Sequence, residues 1–332
     1  MPAEIVTIAA GGFAGPHRSM QELERSTGLT THYRLSRHDC AGEEIEFYIR
    51  HLRDAQPRIV LFGGWCELYG VLIRRLRRTR IRFGVWWLST AGQTDMSREM
   101  DRLVTATGNP RIEYHGFAQR SMAEGFAGRL QNSVYLPVPM FPESFPIRPM
   151  RRRGPVVISL FCSPHEYHRK NILNTLLALS QLNGDYVLAL NGLSRDRWYR
   201  ALLQRLDVRY EDSGWMTPEA YRRRLDSVDI GVQVSFTESF NQVAAEHALR
   251  SIPVIGSEAV PSLAGLRGPD RARLIVNDPE DPAQIAARLN WLIRHPKSRR
   301  EIGQRLSGAL RKQIGRNNRL ARNVLTQWLN QK

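Results

Sequence analysis

Two glutamates and a basic pair are the residues of this chain best suited to chemistry. Glu238 and Glu246 stand eight residues apart in the segment DIGVQVSFTESFNQVAAEHALRSIPVIGS, residues 229–257. The segment reads as a buried strand, a short polar turn, a helix, then Pro253 and a further strand. Ligands of open α/β sheets bind beyond the carboxyl ends of strands, and Ser235 to Phe240 occupies that place. The helix start adds N–H groups and partial positive charge, which suit a phosphate or a sugar hydroxyl. The spacing predicts Glu238 in the turn and Glu246 two turns into the helix, both lining one pocket at different depths. Arg169 and Lys170 follow an earlier strand, ISLF, and Lys170 is the only lysine before residue 297. Alone, neither feature decides anything, because glutamates at this spacing arise by chance and a basic pair also opens solvated helices. Cys162, His165 and His168 lack a fourth ligand at a zinc-like spacing and read as a polar loop.

The elements that must position these residues alternate between short apolar runs and helical periodicity, the pattern of βαβ units and parallel sheets. In the first half, Ile5–Ala10, Arg58–Gly63, Arg82–Leu88, Ile112–His115 and Ser133–Pro137 read as strands. Leu68–Arg80 reads as an amphipathic basic helix, with Leu72, Ile73 and Leu76 on one face and five arginines from Arg74 to Arg80 on the other. Prolines at 137, 139, 142, 146, 149 and 155 forbid a continuing helix, which places an interdomain linker at 139–155. The alternation restarts with the strand Val156–Phe161 and a helix over 171–182. The strand Tyr186–Leu190, a helix over 195–206 and a short strand near Arg209 follow. After a helix over 218–227 come the strand Ile230–Val234, a helix over 241–250 and the strand Val254–Ile255. Two helices, Pro282–Arg294 and Lys297–Leu329, complete the chain.

Residues 156–295 resemble the retaining glycosyltransferases of the two-Rossmann-domain (GT-B) type, the glycogen-synthase-like or group 1 family. The resemblance rests on Glu238, seven residues, Glu246, then Ser251-Ile252-Pro253-Val254-Ile255, on the upstream GWMTPEAYRRRLDSVDIGVQVS, and on Arg169-Lys170-Asn171. It implies an α/β fold of two Rossmann-like doubly wound domains facing a cleft. Residues 1–138 would form the acceptor side and 156–310 the nucleotide-sugar side, with a helix over 311–332 packing back toward the first domain. By the resemblance, Glu246 binds the ribose hydroxyls and Glu238, beside Ser235 and Ser239, contacts the donor sugar. Backbone amides of Phe240, Asn241 and Gln242 approach the diphosphate, although the family usually has Gly at positions 241 and 242. Arg169 and Lys170 neutralise the leaving diphosphate, since cleaving the anomeric C–O bond releases negative charge that preorganised cations stabilise. Such a pair takes the place of a divalent metal, so no metal or other cofactor is expected. The implied reaction retains the anomeric configuration through an oxocarbenium-like transition state.

In the first domain, Gly11 and Gly12 stand where the family has a glycine-rich loop, and lacking side chains they let backbone amides approach the donor. A His that the family often places after a central strand is missing from Val85-Trp86-Trp87-Leu88-Ser89-Thr90. Trp87, Ser89 and His115 are the acceptor-side candidates, although a strand can bury one of two adjacent tryptophans on each face.

Composition bounds the partners. At 332 residues, 42% hydrophobic and 24% charged, the chain has the make-up of an ordinary two-domain globular protein, and no apolar run approaches a membrane span. The amino-terminal stretch has no basic region before its apolar run and reads as a strand rather than a secretion signal, and three scattered cysteines suit a reducing cytoplasm. The net charge of +16 favours polyanions or anionic membrane surfaces, and residues 151–332 carry most of the excess. The expected acceptor is a cell-surface glycan or lipid-linked saccharide, met by an enzyme docked peripherally on the anionic inner membrane face. The alternatives are hydroxymethylated DNA of the phage type, and a non-catalytic module that binds a nucleotide sugar or nucleic acid.

Overall fold

The computed structural model describes residues 4–10, 14–35, 42–96, 99–147, 154–162 and 166–331. The chain forms two units, residues 1–141 with 314–332, and residues 142–313. The division at Phe141/Pro142 falls inside the proline-rich segment expected to link the domains, of which residues 148–153 lie outside the described residues.

The first unit runs β1 (Ile5–Ala10), α1 (Ala14–Thr27), β2 (Thr30–Leu35), α2 (Gly42–Ala55), β3 (Ile59–Gly63), α3 (Glu67–Arg75) and β4 (Arg82–Trp87). It continues with α4 (Ala91–Met96), α5 (Glu99–Thr107), β5 (Ile112–Phe117), α6 (Arg120–Phe126) and β6 (Ser133–Tyr135). Its six strands are all parallel, in the order β2-β1-β3-β4-β5-β6. Every residue of β1 and β3 is buried, as expected of parallel strands covered by helices on both faces. The order reverses between β1 and β3, which makes this the topological switch point of the sheet. Two expectations change here. The strand β2 was not predicted, because THYRL carries only one strongly apolar residue and only its ends are buried. The basic helix is shorter than its charge pattern suggests: α3 ends at Arg75, Leu76 caps it with a buried side chain, and Arg77, Arg78 and Arg80 lie beyond it.

The second unit runs β7 (Val156–Leu160), α7 (Ile172–Leu179), β8 (Tyr186–Leu190), α8 (Arg197–Arg205), β9 (Tyr210–Asp212), α9 (Pro218–Leu225) and β10 (Ile230–Gln233). It ends with α10 (Gln242–Leu249), β11 (Val254–Ser257), α11 (Gly268–Leu274), β12 (Ile275–Val276), α12 (Pro282–Arg294) and the start of α13 (Pro296–Asn330). The strands are again parallel, in the order β12-β11-β10-β7-β8-β9. This is the doubly wound order in which the first and fourth strands of the domain, β7 and β10, flank the topological switch point. Helix starts carry legible signals: Asp196 and Asp281 accept from backbone N–H groups of the first turn, and Thr217 with Pro218 opens α9 in the same way.

The end of α13 belongs to the first unit. There Trp328 is buried against Tyr114, their ring centroids 5.0 Å apart, and Gly116 provides the room, since a Cβ on it would lie 3.3 Å from the indole. Arg82 donates to the carbonyls of Trp328 and Gln331 at 3.3 and 2.7 Å, satisfying acceptors that a helix end leaves open. Among the described residues no helix is long and apolar enough to cross a membrane.

Candidate active site

The switch point of the second sheet brings together residues distant in sequence. After β7 the chain turns through Glu166–Lys170, and after β10 through Ser235–Asn241, and the two turns are tied by Phe236 N donating to Arg169 O at 2.9 Å. Asn171 and Asn241 both precede helices in the left-handed conformation, with φ of 54° and 63°. That conformation favours glycine and, among other residues, asparagine, so Asn241 suits the turn's backbone while its side chain caps the helix.

Glu238 is the centre of the cluster. Its Oε1 accepts from Lys170 Nζ at 2.6 Å, lies 2.8 Å from Arg169 Nη1, and accepts from Asn241 Nδ2 at 3.2 Å. The side chains of Arg169, Lys170 and Glu238 are 10, 7 and 5% exposed, so the charges meet largely out of water. Burial works against the Glu238 carboxylate, yet Lys170 and then Arg169 outweigh it and hold the group below the usual carboxylate range. Arg169 is shifted upward: burial opposes its charge, but Glu238 and Glu166 more than offset that. It also donates to Thr237 O at 3.0 Å and pairs with Glu166.

A second layer fixes this arrangement. Gln233, the last residue of β10 and 2% exposed, accepts from Lys170 Nζ at 3.3 Å and from Asn241 Nδ2 at 3.2 Å. It donates to Phe161 O at 2.8 Å, while Asn241 Oδ1 caps α10 by accepting from Ala244 N at 3.0 Å. Gln233 did not emerge from sequence reasoning; its one signal was an amide in an otherwise apolar strand. An ammonium has three donors, and the two acceptors found for Lys170 leave one N–H without an acceptor among the described residues.

Glu246 is fully buried on α10. Because 238–241 form the turn and the helix begins at Gln242, Glu246 sits just past its first turn rather than two turns in. Ser235 and Phe240 are buried and Ser239 and Gln242 half-buried, and Ser262 braces the turn by donating to Phe240 O and Asn241 O at 3.1 and 3.3 Å. Cys162 is buried with its thiol pushed up to about 12 by burial, which makes it a poor ligand or nucleophile. His165 lies outside the described residues, among which no group of three His, Cys, Asp or Glu side chains is placed to hold a metal ion.

Of the first-unit candidates, Gly11 and Gly12 lie outside the described residues. Trp87 and Ser89 line one pocket at the carboxyl ends of β3 and β4. His115 is not among the residues lining it: it lies in β5, 2% exposed, with burial pushing its imidazole down to about 4.

Solved structures share this architecture over nearly their whole length. The Anabaena protein HepE, in complex with UDP-glucose, is 12% identical and superposes with a TM-score of 0.75, covering 97% of this chain and 99% of that one. Sucrose-phosphate synthase from Thermosynechococcus elongatus is 13% identical at a TM-score of 0.75, with 98% of each chain covered. The lipopolysaccharide outer core galactosyltransferase WaaB is 13% identical at 0.59, covering 96% and 99%. The chain has the GT-B fold. No protein-family model matches the sequence, and no curated protein matches it. At these identities it is the fold that is shared, and the cluster around Glu238 is the evidence for what this GT-B chain does.

Proposed function

We propose that the chain is a glycosyltransferase that moves a sugar from a nucleoside-diphosphate sugar to an acceptor hydroxyl, with retention at the anomeric carbon and without a divalent metal. The observation that carries the reading is the convergence of Arg169, Lys170 and Glu238 at the switch point between β7 and β10. The GT-B fold, shared with a protein solved with UDP-glucose, supports the donor class. In this reading the diphosphate sits at the start of α10 and against the basic pair, where Lys170 has an N–H to give. As the anomeric C–O bond breaks, the departing phosphate oxygen gains negative charge that Lys170 and Arg169 meet without reorganising, the task a metal performs elsewhere. Glu238 holds the two cations in place through Oε1, and its other oxygen is the one to accept a hydroxyl of the donor sugar. Glu246 takes the ribose hydroxyls. The acceptor is a hydroxyl of a cell-surface glycan or lipid-linked saccharide, and the departing phosphate takes its proton.

The test is release of nucleoside diphosphate from UDP-, GDP-, ADP- and TDP-sugars in EDTA. One donor is expected to turn over, slowly with water and faster with acceptor, and Glu238→Ala is expected to abolish turnover while the fold persists. Absence of binding and turnover for all four donors, with magnesium restored, would overturn the proposal.

A further inference from the structure

The turn that carries Arg169 and Lys170 is held from two sides. On the β10 side, Gln233 and Glu238 orient the two basic side chains, and Phe236 N donates to Arg169 O. On the β8 side the contact is aromatic: the ring of Tyr167, in the same turn, meets the ring of Tyr199 edge to face, with centroids 4.6 Å apart and an interplanar angle of 74°. Aromatic pairs favour this arrangement over a face-to-face sandwich, because the positive edge of one ring meets the negative face of the other. Tyr167 O also accepts from Ile172 N, the first residue of α7, at 3.2 Å, so the ring is fixed to the same few residues that present the cations.

Tyr199 is itself anchored. It lies in the first turn of α8, whose N-terminal cap, Asp196, accepts from Trp198 N and Tyr199 N at 2.8 and 3.3 Å. The loop leading into that cap is gathered by one carboxylate, Asp212, the last residue of β9. Its Oδ1 accepts from Gly192 N at 2.6 Å and Gly214 N at 2.9 Å, and its Oδ2 accepts from Ser194 N at 2.8 Å and Ser194 Oγ at 2.6 Å. Burial opposes the charge, but the bonds from Ser194, Gly214 and Gly192 outweigh it and hold the carboxyl below the usual carboxylate range, so the anchor stays ionised at neutral pH. Asn191 Oδ1 accepts from Cys162 N at 3.0 Å, which ties the start of the same loop to the end of β7.

We infer that Tyr199 is a positioning residue for the basic pair: through Tyr167 it sets the backbone of the turn from which Arg169 and Lys170 reach the diphosphate, and Asp212 in turn sets Tyr199. Gln233 and Glu238 aim the side chains, while the tyrosine pair fixes where they start. The role belongs to the rings. Burial pushes both phenols up, that of Tyr167 to about 12, so neither serves as a base or an anion near neutral pH. A cation stabilises departing charge only as well as its place is kept, and a misplacement of about 1 Å can cost on the order of 10²-fold in rate. The diphosphate belongs to the proposed transferase reading, on which this role rests, but the brace itself is measurable without turnover.

The full chain and its variants are compared by NMR hydrogen exchange at the Lys170 and Phe236 amides, which donate within and onto the turn, and by initial rates with whichever of UDP-, GDP-, ADP- and TDP-sugars turns over. Tyr199→Ala is expected to exchange both amides about five-fold faster, the size of one edge-to-face contact. It is expected to lower kcat about ten-fold with donor KM changed less than about three-fold. Tyr199→Phe keeps the ring and is expected to match the wild type in both readouts. Tyr167→Ala combined with Tyr199→Ala is expected to be no slower than the worse single variant, since each ring acts through the other. Asp212→Asn gives a second route should Tyr199→Ala misfold, and is expected to move both readouts the same way. Unchanged exchange or unchanged kcat in both Tyr199→Ala and Asp212→Asn, a loss in Tyr199→Phe as large as in Tyr199→Ala, or additive losses in the double variant would each overturn the assignment. Faster exchange in the variants of a chain that turns over no donor would leave the brace standing and sink the transferase reading, and wild-type turnover with exchange and rates unchanged in the variants would do the reverse.

Discussion

Lys170 Nζ lies 2.6 Å from Glu238 Oε1 across a sequence separation of 68 residues, with both side chains nearly excluded from water. The pair exists because β7 and β10 are neighbours in the sheet, so the turns after them share one edge. Arg169 completes the cluster by sharing Glu238 with Lys170 and pairing on its other side with the half-exposed Glu166, so Glu238 is the one carboxylate that the two buried cations share. In the proposed reading a diphosphate meets cations that the surrounding acceptors already hold in place.

Glu238→Gln removes the anion that Lys170 and Arg169 share, leaving Arg169 with Glu166 and Lys170 with no ion-pair partner among the described residues. The variant is expected to lose about 3 kcal/mol of stability, as when one partner of a buried ion pair is removed. UDP should then raise the melting temperature of the variant more than that of the wild type, because the diphosphate supplies the missing negative charge. Turnover should fall nonetheless, since the sugar loses its carboxylate. Thermal unfolding with and without UDP reads this out; an equal or smaller UDP shift in the variant would refute the cluster's role as a diphosphate site.

His115 gives the pH dependence a defined window. Burial pushes its imidazole down to about 4, below the unfolded value of about 6.5. The unfolded chain therefore takes up a proton first. The contribution to stability is whole above pH ~6.5 and is lost as pH falls toward 4, amounting to about 3 kcal/mol at the end of the window. His115→Leu should remove this slope, while the share of His32, whose imidazole burial also pushes down to about 4, remains. Urea midpoints of both proteins from pH 4 to 7 would settle it, and parallel curves would show that His115 does not titrate with unfolding.

How much was legible depended on whether a residue's partners are local. The strand β1 was readable to its ends because all six residues are buried and apolar-patterned, and α12 because Asp281, Pro282 and an apolar stripe agree. The strand β2 was not, since an edge strand needs no apolar run. The extent of α3 was overestimated because arginines favour helix wherever they stand, while a chain turn is decided by Leu76 being drawn into the core. At the site, Glu238, Arg169 and Lys170 could be picked out by type and spacing. Gln233 could not, because what distinguishes it from the valines around it is an ammonium supplied by a residue 63 positions earlier.

Asn241 separates backbone from side-chain roles. At φ 63° glycine fits without strain, whereas an alanine Cβ costs about 1–2 kcal/mol there. Both variants lose the cap and the Nδ2 bonds to Gln233 and Glu238, so they differ by the alanine Cβ alone. The stability order expected from urea denaturation is wild type, then Asn241→Gly, then Asn241→Ala, with the last about 1–2 kcal/mol below the second. Alanine equal to glycine would mean that the left-handed turn relaxes when its side chain is lost.

Gln233 is the residue whose effect best isolates the positioning of Lys170. Gln233→Leu keeps the volume in the strand but takes away the acceptor 3.3 Å from Lys170 Nζ and the donor to Phe161 O. Lys170 then keeps Glu238 but loses the contact that fixes its direction, so its charge is less well placed when the diphosphate departs. Loosening one charge-stabilising donor is expected to lower kcat about ten-fold with donor KM changed less than about three-fold, a smaller loss than deleting the donor outright. Gln233→Glu keeps an acceptor for Lys170 but sets a second anion beside Glu238, against the diphosphate. It should raise donor KM by about ten-fold or more, since two like charges then oppose the same ligand. Initial-rate kinetics on the two variants, with far-UV circular dichroism to confirm the fold, distinguish orientation from electrostatics. If Gln233→Leu turned over like the wild type, the bond to Lys170 would be structural only, and the preorganisation of the cation would have to come from Glu238 alone.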